Sequence, residues 1–171
     1  MSRAFIALGS NIGDRAAHIS AAFTALSELG SLTGFSPVFE TAPLGPALYP
    51  FLNAVARLET ETAPQTLLSQ LLAIETAQGR VREAKWGPRA LDLDLLTFDA
   101  QTLHTPTLQL PHPQLTRRDF VLGPLVCLEP ELRIGDKTVL ALWRAISHPQ
   151  LAPYAADDVP VPFGCAFGFP P

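Results

Sequence analysis

The chain has 171 residues, enough for one domain with a well-buried core. Its formal charge is −4 and only 16% of residues are charged, which excludes a globally basic protein built to coat nucleic acid. Mean hydropathy is +0.20, yet the longest unbroken apolar runs, Ala4–Leu8 and Val139–Trp143, are five residues long, far short of the ~20 that a membrane-spanning helix needs. No charged-then-apolar leader is visible, and Cys127 and Cys165 lack the spacing of a metal or redox motif. A cytoplasmic location is therefore expected.

Ala4–Gly9 reads as a first strand closed by a Gly-Ser-Asn turn. Asp14–Leu29 carries a helical stripe through Ile19, Ala22, Phe23, Leu26 and Leu29, with Asp14 at its start and Gly30 as its cap. Phe35–Glu40 and Leu52–Thr60 read as strands, separated by a Pro/Gly loop over Ala42–Pro50. Thr62-Ala-Pro-Gln65 resembles a capping box and opens a second helix, buried through Leu67, Leu71 and Ile74 and ended by Gly79. Ala90–Phe98 alternates as a strand.

This β-α-β-β-α-β order predicts an α+β, ferredoxin-like core: an antiparallel sheet with helices on one face. Weaker strand signals at Thr102–Leu103 and Leu132–Ile134 are expected to extend the sheet, and Thr138–Ser147 to form a last helix. The division expected is one domain over 1–147 and a Pro-rich tail over 148–171, with six prolines and no Lys or Arg.

Asp92 and Asp94 are the sharpest chemical signal. On a strand, residues i and i+2 share a face, so Leu91, Leu93 and Leu95 point one way and both carboxylates the other. Paired carboxylates suit a hard divalent cation whose shell is completed by water and phosphate oxygens. Taken alone, the same pattern fits a solvated strand face. The preceding segment weighs against that: Arg80, Arg82, Lys85 and Arg89 surround Trp86-Gly87-Pro88, and Arg117 and Arg118 follow later. Half of the twelve basic residues thus sit in two short segments, and arginine forks hold phosphate well. Neither a Walker A pattern nor GxGxxG occurs. Phe51 and Asn53 have the chemistry to stack on and hydrogen-bond a flat heterocycle.

The segment Lys85-Trp86-Gly87-Pro88-Arg89-Ala90-Leu91-Asp92-Leu93-Asp94-Leu95-Leu96 resembles the signature of the 6-hydroxymethyl-7,8-dihydropterin pyrophosphokinase family of folate biosynthesis. Four further blocks match in the same order: Ala7–Arg15, Thr41–Pro46, Phe51–Val55, and His112 through Arg118-Asp119-Phe120 and beyond, so that the likeness spans about residues 4–134. The resemblance implies a ferredoxin-like α+β fold and transfer of the pyrophosphoryl group of ATP to the pterin hydroxymethyl, releasing AMP. It implies Asp92 and Asp94 as ligands of two Mg²⁺ ions, and Arg80, Arg82 and Arg89 as catalytic ATP-engaging arginines of a closing loop sealed by Trp86. Glu75, Leu95, His112 and Arg118 fall at ATP-site positions. Phe51 and Phe120 would sandwich the pterin, with Asn53 and the Thr41, Pro43 and Leu44 stretch reading its polar edge.

Phe51 and Pro113 stand where some members have tyrosine, and Leu72 where others carry a polar residue. The basic loop is one residue shorter than in some relatives. A monomer acting on small molecules, with no nucleic acid or membrane partner, is expected. The competing readings are another Mg²⁺-dependent nucleotidyl-transfer domain on a ferredoxin-like sheet, and a binding module without catalysis.

Overall fold

A computed structural model describes residues 1–42, 49–79, 90–147 and 149–164. In chain order its elements are β1 (Ser2–Ser10), α1 (Arg15–Ser27), β2 (Ser31–Phe35), β3 (Phe39–Thr41), β4 (Phe51–Thr60), α2 (Pro64–Ala77), β5 (Asp92–Phe98), β6 (Leu103–His104), β7 (Gln109–Leu110), α3 (Asp119–Leu128), β8 (Arg133–Ile134), β9 (Lys137–Thr138), α4 (Val139–Arg144) and β10 (Leu151–Pro153).

The main sheet is antiparallel, in the order β10-β3-β4-β1-β5, with β2 also on β4. β1 runs unbroken along β4 from Ser2↔Thr60 to Ser10↔Leu52. With β2 and β3 sharing the second-strand position, this is the ferredoxin-like arrangement expected. Alternation sorts the side chains: Ala4, Ile6 and Leu8 of β1 join Leu52, Ala54, Ala56 and Leu58 of β4 against Ile19, Ala22 and Leu26 of α1 and Leu67 and Leu71 of α2. Each fully buried leucine there contributes about 1.5–3 kcal/mol of transfer free energy.

The opposite face is covered as well. Phe5, Val55 and Leu96 pack against Val121, Leu122, Leu125 and Val126 of α3 and Val139 and Trp143 of α4. The expectation of helices on one face therefore holds for α1 and α2 alone. α3 carries Gly123 and Pro124 in an almost wholly buried stretch, so no apolar–polar period marks it as a helix in sequence.

Other departures have local causes. The expected Phe35–Glu40 strand is two strands, parted where Ser36 turns its hydroxyl to accept from the Val55 amide at 2.9 Å. Asp14 does cap α1, accepting from Ala17 N at 3.0 Å, but the C-cap is Glu28. Gly30 instead lets the backbone pass against Glu59 O, which a Cβ would strike. α2 begins with Pro64 after an Ala63 cap that makes no side-chain bond, so the Thr62 capping box does not form. Gly79, at φ +86°, follows its Gln78 cap. Leu103 and Arg133–Ile134 form the separate hairpins β6–β7 and β8–β9 and do not extend the sheet.

In β5 the register against β1 shifts between Phe5 and Ile6: Leu95 faces Ile6 and Thr97 faces Phe5, leaving Leu96 as an extra residue. This bulge lets Leu95 and Phe98 share the α1–α2 core while Leu96 packs on the α3 side.

Candidate active site

Asp92 and Asp94 begin β5, opposite Gly9 and Ala7 of β1. Their leucine neighbours Leu91, Leu93 and Leu95 are buried in the α1–α2 core, so the carboxylates stand on the α3 face, as the alternation predicts. One strand further, Gly9 is opposite Asn53 and Ala7 opposite Val55 on β4. Gly9 has no side chain to fill this ground. A Cβ there would lie 3.5 Å from Asn53 Oδ1, 3.9 Å from Asp92 Cβ and 4.0 Å from Phe51 Cδ1. The glycine thus floors a recess bounded by Phe51, Asn53 and Asp92. A glycine inside a strand marks a place where a ligand can approach the backbone closely; in sequence Gly9 reads as the start of a turn, and the structure carries β1 on through Ser10.

Asn53 is 6% exposed, and its Nδ2 donates to Thr41 Oγ1 at 2.8 Å. This bond, on the β3–β4 pair Thr41↔Phe51 and Phe39↔Asn53, fixes the amide orientation beside Phe51.

α3 supplies the opposite bank. Arg118 caps it in extended conformation after a 3-10 turn at Leu115–Arg117. Arg118 Nη1 lies 3.8 Å from Asp94 Oδ2, and its guanidinium carbon lies 5.6 Å from the Phe120 ring centroid. One arginine therefore links the carboxylate pair to the aromatic residue in the first turn of α3. His112 is held by its backbone N–H donating to Leu96 O at 2.8 Å, while its Nδ1 accepts from Gln114 N at 3.2 Å. Burial pushes its imidazole below the usual 6.5; Asp94 opposes this, Arg118 adds to it, and Asp92 opposes it again. His112, Arg118, Asp92 and Asp94 therefore form one electrostatic group.

Glu75 of α2 is 1% exposed on the other side of β5, where Oε1 accepts from Leu93 N at 2.7 Å. Leu95 turns its side chain into the α1–α2 core. Arg80, Arg82, Trp86 and Arg89, with Pro43 and Leu44, lie outside the described residues.

Among the described residues no group of three or more His, Cys, Asp and Glu side chains could hold a metal. A two-carboxylate donor set does not suit a closed zinc-type cage. It fits a hard cation that keeps waters and takes phosphate oxygens.

An antiparallel α+β sheet with such a carboxylate pair beside Gly9, Asn53 and Phe51 is consistent with an enzyme of the phosphoryl-transferring class. The chain belongs to the 7,8-dihydro-6-hydroxymethylpterin-pyrophosphokinase family, whose model matches residues 5–130. It is 48% identical over 139 residues to the 2-amino-4-hydroxy-6-hydroxymethyldihydropteridine pyrophosphokinase of Pseudomonas aeruginosa, covering 80% of this chain and 86% of that protein. It is 42% identical over 142 residues to the protein of that name from Methylorubrum extorquens, covering 81% and 90%. In fold it resembles the crystal structure of Plasmodium falciparum HPPK-DHPS, with TM-score 0.66 and 17% identity over 84% of this chain. It spans 43% of that longer chain. No helix among the described residues is long and apolar enough to cross a membrane.

Proposed function

We propose that the chain transfers the β,γ-pyrophosphoryl group of ATP to the hydroxymethyl group of 6-hydroxymethyl-7,8-dihydropterin, a step of folate biosynthesis. The pterin hydroxyl oxygen bonds to the β-phosphorus, the bond to the α,β-bridging oxygen breaks, AMP leaves with that oxygen, and the hydroxyl proton passes to water. The observation that carries this reading is the recess over Gly9, which joins Asp92 directly to Asn53 and Phe51. A metal-carboxylate site and a ring-binding site sharing one floor suit transfer between a nucleotide and a heterocycle.

In this reading Asp92 and Asp94 would hold two Mg²⁺ ions, whose chemistry when bound would be neutralisation of charge on the ATP phosphates. Phe51 and Phe120 stack on the pterin, and Asn53, oriented by Thr41, reads its polar edge. Pro43 and Leu44 complete that edge. Arg118 and His112 contact phosphate, and Arg80, Arg82 and Arg89 engage ATP while Trp86 seals the loop. Glu75 acts from behind β5 by holding the Leu93 N–H between the two acids, and Leu95 anchors that strand in the core. Such transfer needs no protein nucleophile, so the rate enhancement comes from positioning and electrostatics. Closure of the basic loop over the site would keep bulk water from attacking the β-phosphorus in place of the pterin hydroxyl. The protein is read as a cytoplasmic monomer acting on small molecules, with its catalytic domain over 1–147 and a tail over 148–171.

Incubation of the purified chain with ATP, Mg²⁺ and the hydroxymethyl dihydropterin is expected to give AMP and the pterin diphosphate in equal amounts. ADP as product, or no turnover by folded protein, would overturn the assignment. Pyrophosphate release with a nucleic acid as acceptor would favour the nucleotidyl-transfer alternative.

A further inference from the structure

The segment after α4 lies beyond residues 5–130, the reach of the family match, yet it touches both banks of the site. Gln150 N donates to Asp119 Oδ2 at 3.0 Å, while Asp119 Oδ1 accepts from Phe120 N at 2.8 Å. The next residue, Leu151, pairs with Thr41 as the first residue of β10, followed by Ala152 with Glu40 and Pro153 with Phe39. Leu151 also lies over α3, where a Cβ at Gly123 would run into its Cδ1. Beyond the strand, Tyr154 N donates to Val38 O, and the Arg15 guanidinium carbon lies 6.0 Å from the Tyr154 ring centroid. That guanidinium also bonds Glu40 Oε2 at 2.8 Å and Pro50 O at 2.9 Å.

Two consecutive residues thus connect the start of α3, which bears Phe120, to the strand whose Thr41 holds Asn53. We propose that Asp119 and the Gln150–Tyr154 segment are positioning elements that set the width of the ring-binding recess. Asp119 uses its two oxygens for different elements: one orders the first turn of α3, the other anchors the tail. α3, which bears Phe120, packs on the sheet through Val121, Leu122 and Leu125 against Phe39 and Val55, and the Gln150–Leu151 link adds a tie between its first residue and Thr41, the partner of Asn53. A recess preset in this way loses less freedom when a flat ligand enters. This inference rests on the pterin reading above.

The test uses full-length Asp119→Asn, Gln150→Pro and the double variant. Asparagine keeps an oxygen for the Phe120 amide but offers Gln150 no second carboxylate oxygen, and proline removes the Gln150 donor while leaving Asp119 intact. Each single variant is expected to raise the KM for the pterin by roughly fivefold, with the KM for ATP within about twofold of the parent. The double variant should be no worse than either single one, because both cut the same link. An unchanged pterin KM in both folded single variants, or equal rises for pterin and ATP, would overturn the inference while leaving the parent activity intact. A folded parent that does not turn over the pterin would overturn the functional reading itself. Should Gln150→Pro not fold, Asp119→Asn with Leu151→Ala gives the same readout.

Discussion

The carboxylate of Glu75 accepts a hydrogen bond from the backbone N–H of Leu93 at 2.7 Å. β5 is the last strand of the sheet, so Leu93, flanked by Asp92 and Asp94, has an amide that β1 does not take. A buried acid on α2 takes it, and so fixes the stretch of strand that carries both acidic side chains. Glu75→Ala would leave that amide without this acceptor, at a cost of about 1–3 kcal/mol. The expected outcome is a lowered Tm together with a lowered kcat, both largely restored in Glu75→Gln, whose side-chain oxygen still accepts. An unchanged Tm in the alanine variant would contradict this.

Gly9→Ala should separate binding from stability. The new methyl would make ordinary contacts at 3.5 Å and 3.9 Å with Asn53 and Asp92, so the fold accommodates it. Loss of chain freedom in the unfolded state favours alanine by about 0.4–1 kcal/mol. The methyl nonetheless raises the floor of the recess, and the KM for the pterin is expected to rise by at least about tenfold. Steady-state kinetics at fixed ATP, with a thermal melt, check both halves.

Asp94→Asn is expected to lower turnover by on the order of 10²–10³-fold. Its effect on stability should stay small, because the Arg118 contact is long at 3.8 Å and Asp94 is 35% exposed, which limits such a pair to about 1 kcal/mol or less. Excess Mg²⁺ should recover part of the loss if the defect is in ion binding. Full activity in the folded variant would remove the carboxylate pair from the mechanism.

The His112 environment sets a pH dependence of stability. Burial holds its folded value below 6.5, so the unfolded chain takes up the proton more readily. Stability from this site is fully present above about pH 6.5 and declines as pH falls through the lower folded value. Thermal melts between about pH 7.5 and 5, without metal or nucleotide, should show a shallower decline for His112→Asn than for the parent. Parallel curves would show that His112 carries no such linkage.

The sequence discloses most where a residue's surroundings are local. The alternation of Leu91, Leu93 and Leu95 with Asp92 and Asp94 places both acids on one face, and the structure has them there. The stripes of α1 and α2 are similarly plain, since each helix has one buried side and one wet side. α3 is hidden because both its faces are covered and Gly123-Pro124 looks like a break. β10 is hidden for a different reason: its three residues include Pro153 and carry no periodic signal, and only β3 makes them a strand. Gly9 reads as a turn glycine until the partner strands reveal what lies to either side. The strap at Asp119 is likewise a relation between residues 31 positions apart, invisible without coordinates.

The bulge at Leu96 gives the strand a seam. Ahead of it, Asp92 and Asp94 stand on the α3 face while Leu93 and Leu95 enter the α1–α2 core; behind it, Phe98 returns to that core. One surplus residue lets these two ends be set out of phase. Sequence drift that reshuffles the hydrophobic end need not rotate the acidic end. The acidic end and the hydrophobic end of this edge strand are thereby set in register independently of each other.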